Sequence, residues 1–397
     1  MEPSWHRIVL DPPVPATHER ELATRVFFVS EAILDFALVR PGPADGIGAV
    51  DLALRTGTDV DDLARKLRFT VANDVLAQRA LEPKVIWRGT AAGPARDVFD
   101  DLLRQGAAWE AGEGQVTLGE PVLSLMDHLD TRIRDLVRVE FGAREYRYPT
   151  LITTAALRRC GYFRSFPHLL MFVSRLHGDV DAYRTFLADL AAGGDVGAGL
   201  RAHAAGFDHC LPPTMCYHTY QQLADRPLPA SALTVTARGK SFRYESRYRR
   251  SLERLWDFTI REIVFLGARD DVLARRRRLM ERSWDLMEEL GLGGRCEVAN
   301  DPFFVDTGTA ERVWSQHLLE LKYELRLPLD ADRDVAVGSF NFHDRFFGES
   351  FGITTGGGAA YTACAGFGLE RLAYAFLCRH GTGPDGWPAG VRAAVRK

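Results

Sequence analysis

The sequence predicts an α+β protein: a small N-terminal α+β module, then a large domain built on an antiparallel or mixed sheet with helices. Three observations carry this. Helix-like and strand-like stretches do not alternate regularly through the second part of the chain, which argues against a parallel, doubly wound sheet. The first ninety or so residues run β-α-β-β-α-β, the order of a split βαβ unit. Between the two, "GTAAGPA" (89–95) is rich in Gly, Ala and Pro and reads as a linker. The expected domains are 1–92 and 98–397.

Taken in order, "HRIVLDP" (6–12) alternates as a short strand, and residues 18–33 carry Leu22, Val26, Val29 and Ile33 at helical spacing. "LDFALVR" (34–40) and "AVDLALR" (49–55) read as strands around the Gly/Pro-rich loop "RPGPADGIG". A helix is expected over 59–78, opened by acidic residues and carrying Leu63, Leu67, Val71 and Val75 on one face. "PKVIWRG" (83–89) is the expected fourth strand of the module. Further on, helices are expected at 97–106, 120–141, 179–192 and 271–290, with β character in "ALTVTARGKSFRYE" and "AVGSFNFHDRFFGESFGIT".

Composition narrows the function. The formal net charge is -3 and the isoelectric point about 6.4, which argues against a dedicated nucleic-acid binder. No apolar run approaches the ~20 residues of a transmembrane helix, and "MEPSWHRIVLDPP" has no signal-peptide pattern. A cytoplasmic protein is expected, with its 6 cysteines reduced. These are Cys160, Cys210, Cys216, Cys296, Cys364 and Cys378, and no two form a CxxC pair. Each alone reads as a small buried hydrophobe.

Chemistry concentrates in two stretches. "SFRYESRYRRSLERLWDFTIREIVFLG" (241–267) is a strand, an Arg-rich loop and a second strand bearing Phe258, Ile260, Ile263 and Phe265. Such a hairpin offers cations to phosphate and a ring to a base. Within it, Glu262 shares a face with Ile260 and Val264 by period two. A carboxylate on an apolar face is costly unless ion-paired or metal-bound. The second stretch, "TACAGFGLERLAYAF" (362–376), joins glycines to a helix that begins near Arg371, where a guanidinium and a helix N-terminus suit phosphate. "ARRRRLM" (274–280), inside the helix expected over 271–290, reads as a solvated face or as a contact for an acidic partner.

Phe-Arg-x-Glu, a loop, an aromatic strand and then Gly-x-Gly-x-Glu-Arg resemble motifs 2 and 3 of class II aminoacyl-tRNA synthetases, with Pro149 of "YRYPTL" where the loose motif 1 has a proline. The narrower resemblance is to the amino acid:[carrier protein] ligases, truncated relatives of the atypical zinc-dependent seryl-tRNA synthetases of methanogens. It rests on "GYFRSFPHL" (161–169), "PPTMCYHTY" (212–220), "ANDPFF" (299–304), "SFNFHDRFFGESFGI" (339–353) and "TACAGFGLERL" (362–372), and spans roughly residues 105–385. The module lies outside it.

This resemblance implies a class II antiparallel sheet flanked by helices, a homodimer, and ATP-dependent activation of a small amino acid as its adenylate. The aminoacyl group then passes to the phosphopantetheine thiol of a carrier protein. It implies one zinc per subunit on Cys216, Glu262 and Cys364, with an open position for the substrate amine. It implies Arg243 on the α-phosphate, Glu245 on the adenine amino group or ribose, Phe258 stacked on adenine, and Arg371 on adenine's other face or the γ-phosphate. Asn341 is a polar contact to substrate or metal, and Mg2+ bridges the phosphates. The family's magnesium glutamate is missing from "DRDVAVGSFN", where Asp334 is the candidate substitute.

Two other readings stand beside this one. An aminoacyl-tRNA synthetase, or an enzyme passing its adenylate to a small amine, shares the first step. A non-catalytic paralogue would use the fold for binding, but Arg243, Glu245, Phe258 and Arg371 are all present. Residues 1–92 hold 11 basic and 13 acidic side chains, so no polycation is there to grip tRNA, and no tRNA partner is expected. Arg275–Arg278 are the expected docking strip for an acidic carrier protein.

Overall fold

The structure is a computed structural model that describes residues 4–42, 45–76, 84–90, 93–245, 251–299 and 320–395. The loop at 246–250 and the part of "ANDPFF" beyond Ala299 lie outside the described residues.

Strands β1 (Ser4–Val14), β2 (Ile33–Val39) and β3 (Ile47–Leu54) form an antiparallel sheet in the order β1-β3-β2. Helices α1 (Glu19–Arg25) and α2 (Val60–Thr70) cover it, burying Leu22, Leu63 and Leu67 against Ile8, Val50 and Leu52. Helix α2 starts where Asp59 accepts from the N–H groups of Asp61 and Asp62 at 3.1 and 3.0 Å, a side-chain N-cap. It gives way to a π turn over Val71–Val75.

Two expectations for the module are corrected. The helix predicted over 18–33 stops at Arg25, a short 3-10 turn follows, and Ile33 opens β2. Ile33 is buried in the same core, so its spacing marks its burial but not its element. The predicted fourth strand, β4 (Val85–Gly89), does not join the module. It pairs antiparallel with β13 (Gly294–Val298) at the edge of the large sheet. Hydrophobic spacing shows that a strand is half buried, not which edge completes its ladder.

The chain continues through α3 (Phe99–Arg104), the hairpin β5 (Ala108–Gly112) and β6 (Gln115–Leu118), α4 (Val122–Phe141) and β7 (Arg144–Tyr146). A three-stranded sheet of β8 (Ile152–Thr153), β9 (Met171–Leu176) and β10 (Ala204–Leu211) encloses α5 (Thr154–Arg159), α6 (Tyr162–Ser165), α7 (Val180–Ala191) and α8 (Val196–His203) in sequence. Then come α9 (Cys216–Gln222), β11 (Leu233–Phe242), β12 (Asp257–Gly267) and α10 (Arg269–Glu289). After β13 follow β14 (Lys322–Pro328), β15 (Asp334–Phe342), α11 (Phe346–Phe351), the hairpin β16 (Thr354–Thr355) and β17 (Gly358–Ala359), β18 (Tyr361–Gly368), α12 (Leu369–His380) and α13 (Ala389–Val395). The β character expected through 336–354 therefore ends at Phe342, where a short helix takes over.

The large sheet has the order β4-β13-β14-β15-β18-β12-β11-β7, antiparallel except where β7 runs parallel to β11. Helices α4, α10 and α12 pack on one face. The stripe Leu125, Leu129, Ile133 and Val137 of α4 is buried in one core with Ile263 and Phe265 of β12. On this face Arg261 is 1% exposed, and its guanidinium binds both Asp130 oxygens at 2.7 Å and Glu145 at 2.9 Å. A buried ion survives only with such partners.

The basic run inside α10 is not an open strip, contrary to expectation. Arg276 is buried, donates to the carbonyls of Glu320 and Leu321 at 3.2 Å, and lies over the Tyr323 ring. Arg275 pairs with Asp271, Arg277 with Glu281 and Arg278 with Glu140. Four consecutive helical residues spread over the whole circumference, so a run of like residues cannot all face one partner. Among the described residues, no helix is long and apolar enough to cross a membrane.

Candidate active site

The sheet's other face carries the chemistry, and strand register places it there. Directly opposed residues point to the same side. Glu262 on β12 faces Gly366 on β18, which faces Ser339 on β15, then Glu324 on β14 and Glu297 on β13. The neighbouring row runs Val264, Cys364, Asn341 and Lys322. Arg261 and Ile263, between them in sequence, face the helices instead.

Cys216 enters from above, as the first residue of α9. Its sulfur, the Cys364 sulfur and a Glu262 oxygen all lie within 4.8 Å of one another, and the three residues are buried. Gly366 makes room: a Cβ there would stand 2.8 Å from Ile260 Cδ1 and 3.5 Å from Glu262 Oε2. Thr214 donates its hydroxyl to Glu262 at 2.5 Å, while Asn341 Nδ2 and His343 Nε2 both lie 3.6 Å from the Cys364 sulfur.

Electrostatics bear on what this trio could hold. Burial pushes the Glu262 carboxyl up to about 7, and burial likewise raises Cys216. Cys364 is raised well above the usual thiol range, first by its contact with Cys216 and then by burial. Burial disfavours the charged form of all three, and the Glu262 charge adds to the cost of ionising either thiol. A divalent cation reverses that balance, and two thiolates with one carboxylate are a donor set that fits zinc.

A second cluster lies on the other side of Ile260. Arg243 donates to the Pro213 carbonyl at 3.1 Å, and its guanidinium sits 5.5 Å from the centroid of Phe258, which precedes Ile260 and Glu262 on the same face. Arg371, near the start of α12, donates to the Glu253 carbonyl at 2.6 Å and the Ala336 carbonyl at 3.3 Å. Glu245 accepts from Arg254 at 2.8 Å. Burial works to raise Glu245, but Arg254, Arg371 and Arg243 outweigh it and hold the carboxyl below its ordinary value. Arg371 is pushed down to about 10 by burial and by the neighbouring Arg254. Three guanidiniums against Glu245 and, farther off, Glu324, with Arg371 still pushed down, leave the site with an excess of positive charge. A polyphosphate would balance it.

The structure thus gathers Cys216, Glu262 and Cys364 at one point and Arg243, Glu245, Phe258 and Arg371 at another. Asn341, expected near substrate or metal, stands at the Cys364 sulfur. Asp334 is held by Arg295 and Arg326 at 2.7 Å each, which commits it to ion pairs. The glycines differ in use: Gly366 yields space to Ile260 and Glu262, whereas a Cβ on Gly368 would meet only the Arg371 stem at 3.9–4.0 Å.

Sequence reasoning misses several residues. Thr214, Arg254 and Glu324 lie in stretches where many polar residues compete, and nothing in their spacing singles them out. Glu370 stands out in the sequence only as part of a motif. Its carboxylate accepts from Thr259 N–H and hydroxyl at 2.8 Å, pinning α12 to the start of β12.

No family profile matches the chain. Over 282 residues it is 39% identical to amino acid–[acyl-carrier-protein] ligase 2 of Bradyrhizobium diazoefficiens, covering 70% of this chain and 81% of that one. Ligase 1 of the same organism is 38% identical over 256 residues, 64% of this chain and 76% of its own. The type-2 serine–tRNA ligase of Methanopyrus kandleri is 26% identical over 315 residues, covering 74% of this chain and 59% of its own. Among solved structures, M. kandleri seryl-tRNA synthetase in complex with A. aeolicus tRNASec superposes with a TM-score of 0.72 at 22% identity, over 98% of this chain and 77% of that one. The shared fold is that of the class II seryl-tRNA synthetases, and the likeness extends into the N-terminal module, which lies outside the motif resemblance.

Proposed function

The chain belongs to the amino acid–[acyl-carrier-protein] ligases, and from that membership we propose that it activates a small amino acid with ATP and loads it onto the phosphopantetheine thiol of a carrier protein. The observation that carries this reading is the pairing, on one sheet face, of a buried two-thiol, one-carboxyl centre with an arginine cluster of excess positive charge. One end suits the amine of an amino acid and the other the phosphates of ATP.

Cys216, Glu262 and Cys364 would hold zinc, which when bound offers a coordination position for the neutral amino group and so selects α-amino acids. Tyr220 stacks on Phe347 at 4.3 Å between ring centroids, and His343 meets Phe347 edge-on at 4.7 Å. This aromatic wall beside the Cys364 sulfur favours a short side chain. Arg243 would bind the α-phosphate, with Phe258 and Arg371 about the nucleotide and Glu245 taking its adenine amino group or ribose. Glu324 faces Ser339 across β14 and β15, and the two would offer oxygens to magnesium once the ion displaced the Arg326 pairing that holds Glu324 at 2.8 Å.

The chemistry needs no side-chain nucleophile. The amino acid carboxylate attacks the α-phosphorus, the bond to the bridging oxygen breaks, and pyrophosphate leaves. The carrier thiolate then attacks the acyl carbon and AMP departs. Arg243, held by the Pro213 carbonyl, would neutralise charge on the phosphorus in the transition state, and the rest of the face would supply positioning.

ATP–pyrophosphate exchange with each amino acid, then transfer to holo carrier protein and to tRNA, tests the proposal. Exchange with a small amino acid and transfer to the carrier are expected. Loading of tRNA in place of the carrier would favour the synthetase reading. No exchange with any amino acid would favour a binding paralogue.

A further inference from the structure

His343 has no role in the motifs read from the sequence, and it stands in the turn between β15 and α11. Its backbone N–H donates to the Thr362 carbonyl at 2.9 Å, and its ring rests against Phe347, so the imidazole is held from two sides. Nε2 lies 3.6 Å from the Cys364 sulfur. At Nδ1 stand the Thr362 hydroxyl at 3.3 Å and the Tyr220 hydroxyl at 3.5 Å. Thr362 and Tyr220 are both 0% exposed.

These contacts favour one tautomer. A buried hydroxyl needs an acceptor for its proton, and Nδ1, within reach of both hydroxyls, has one lone pair to offer to either. With Nδ1 accepting, the ring proton belongs on Nε2, aimed at sulfur. Tyr220 also lies four residues after Cys216 on α9, hence on the same side of that helix. The chain of contacts Tyr220–His343–Cys364 therefore ties the helix carrying one sulfur to the strand carrying the other.

We propose that His343 is a positioning residue for the metal centre: Nε2–H donates to the Cys364 thiolate and braces it at its distance from Cys216, while Tyr220 and Thr362 hold the ring in that tautomer. With Asn341, this sets two N–H donors on one sulfur. The Cys216 sulfur meets the Thr214 hydroxyl at 4.0 Å, and that hydroxyl already donates to Glu262. The two thiolates are thus unequal. Cys364 would deliver less charge to a bound cation, which would leave that cation the better acceptor for an amine.

The inference rests on the metal reading above, and its test separates the two. His343→Phe keeps a ring against Phe347 and removes both nitrogens, and Tyr220→Phe keeps the imidazole but leaves Thr362 alone to hold its tautomer. Zinc affinity is measured by chelator competition, and the cobalt-loaded proteins are compared by their thiolate-to-cobalt absorption. His343→Phe is expected to weaken zinc about 10–100-fold, the usual effect of losing a partner of a metal ligand, to move the cobalt band, and to lower the melting temperature of the metal-free protein as the buried Tyr220 and Thr362 hydroxyls lose their acceptor. Tyr220→Phe moves both metal readouts the same way by less, and decides the matter should His343→Phe not fold. Wild-type affinity and spectrum in both variants would overturn the inference and leave the metal reading intact. Imidazole scattering at the zinc edge of the wild-type protein would overturn it by making His343 a ligand. Absence of any bound metal in the wild-type protein would overturn the metal reading, and this inference with it.

Discussion

Zinc affinity at Cys216, Glu262 and Cys364 is expected to rise with pH at a slope between two and three protons. The slope follows from protonation states. In the metal-free protein both thiols are raised, Cys216 chiefly by burial and Cys364 first by its contact with Cys216, while burial brings Glu262 to about 7. A divalent cation takes all three as anions. Binding at neutral pH therefore releases both thiol protons and about half a proton from Glu262. At lower pH Glu262 starts protonated and the count approaches three; at higher pH it approaches two. Each proton is worth about 1.4 kcal/mol per pH unit, so affinity changes by about 3–4 kcal/mol, roughly a hundred- to a thousand-fold, per unit. Glu262→Gln is expected to weaken binding and to hold the slope at two throughout. The assay is chelator competition between about pH 6 and 8, with calorimetry in two buffers of different ionisation enthalpy to count protons. A slope of one or less in the wild-type protein would refute the reasoning, since the three groups would then already be anions or the metal would sit elsewhere. The linkage also has a sign for the empty protein. A carboxyl raised on folding favours the protonated native state, so the metal-free protein loses stability as pH climbs from the ordinary carboxylate range to about 7, and zinc removes that loss.

Two further outcomes follow from the packing. Gly366→Ala puts a methyl 2.8 Å from Ile260 Cδ1 and 3.5 Å from Glu262 Oε2; an overpacking cost of about 1–3 kcal/mol and reduced zinc retention after dialysis are expected, and unchanged retention would show that Glu262 does not need that space. Arg261→Met takes from Asp130, 3% exposed, its bidentate partner and leaves it only Arg238 at 3.5 Å; urea denaturation is expected to show a loss of about 3 kcal/mol, partly recovered by adding Asp130→Asn, and a loss below about 1 kcal/mol would contradict the buried-pair account.

Much of the site is legible in the sequence because its parts recur as short motifs with fixed chemistry. Cys216, Glu262 and Cys364 are marked by the motifs they stand in, and period two already puts Glu262 on one face with Ile260 and Val264. Arg243, Glu245, Phe258 and Arg371 come from two motifs joined by a strand. The α+β class is legible from irregular alternation of elements. The errors share one physical origin. Spacing suggests a helix for Ile33 because spacing records burial, and it suggests the module for β4 because nearness in sequence stands in for an edge that β13 supplies. The basic run on α10 misleads because charge in sequence says nothing of direction: Arg276 faces the Tyr323 ring while Arg277 pairs outward with Glu281.

The sequence alone singled out the candidate site residues, since residue types and their local spacing are what motifs record. Tertiary structure alone decided how they are held. Register across β12, β18, β15 and β14 turned separate motifs into one row and put Glu324 opposite Ser339. The fold also brought His343 to the Cys364 sulfur and committed Asp334 to two arginines. Those are contacts between residues far apart in the chain, and their energy comes from pairing and burial that exist only once the sheet has closed.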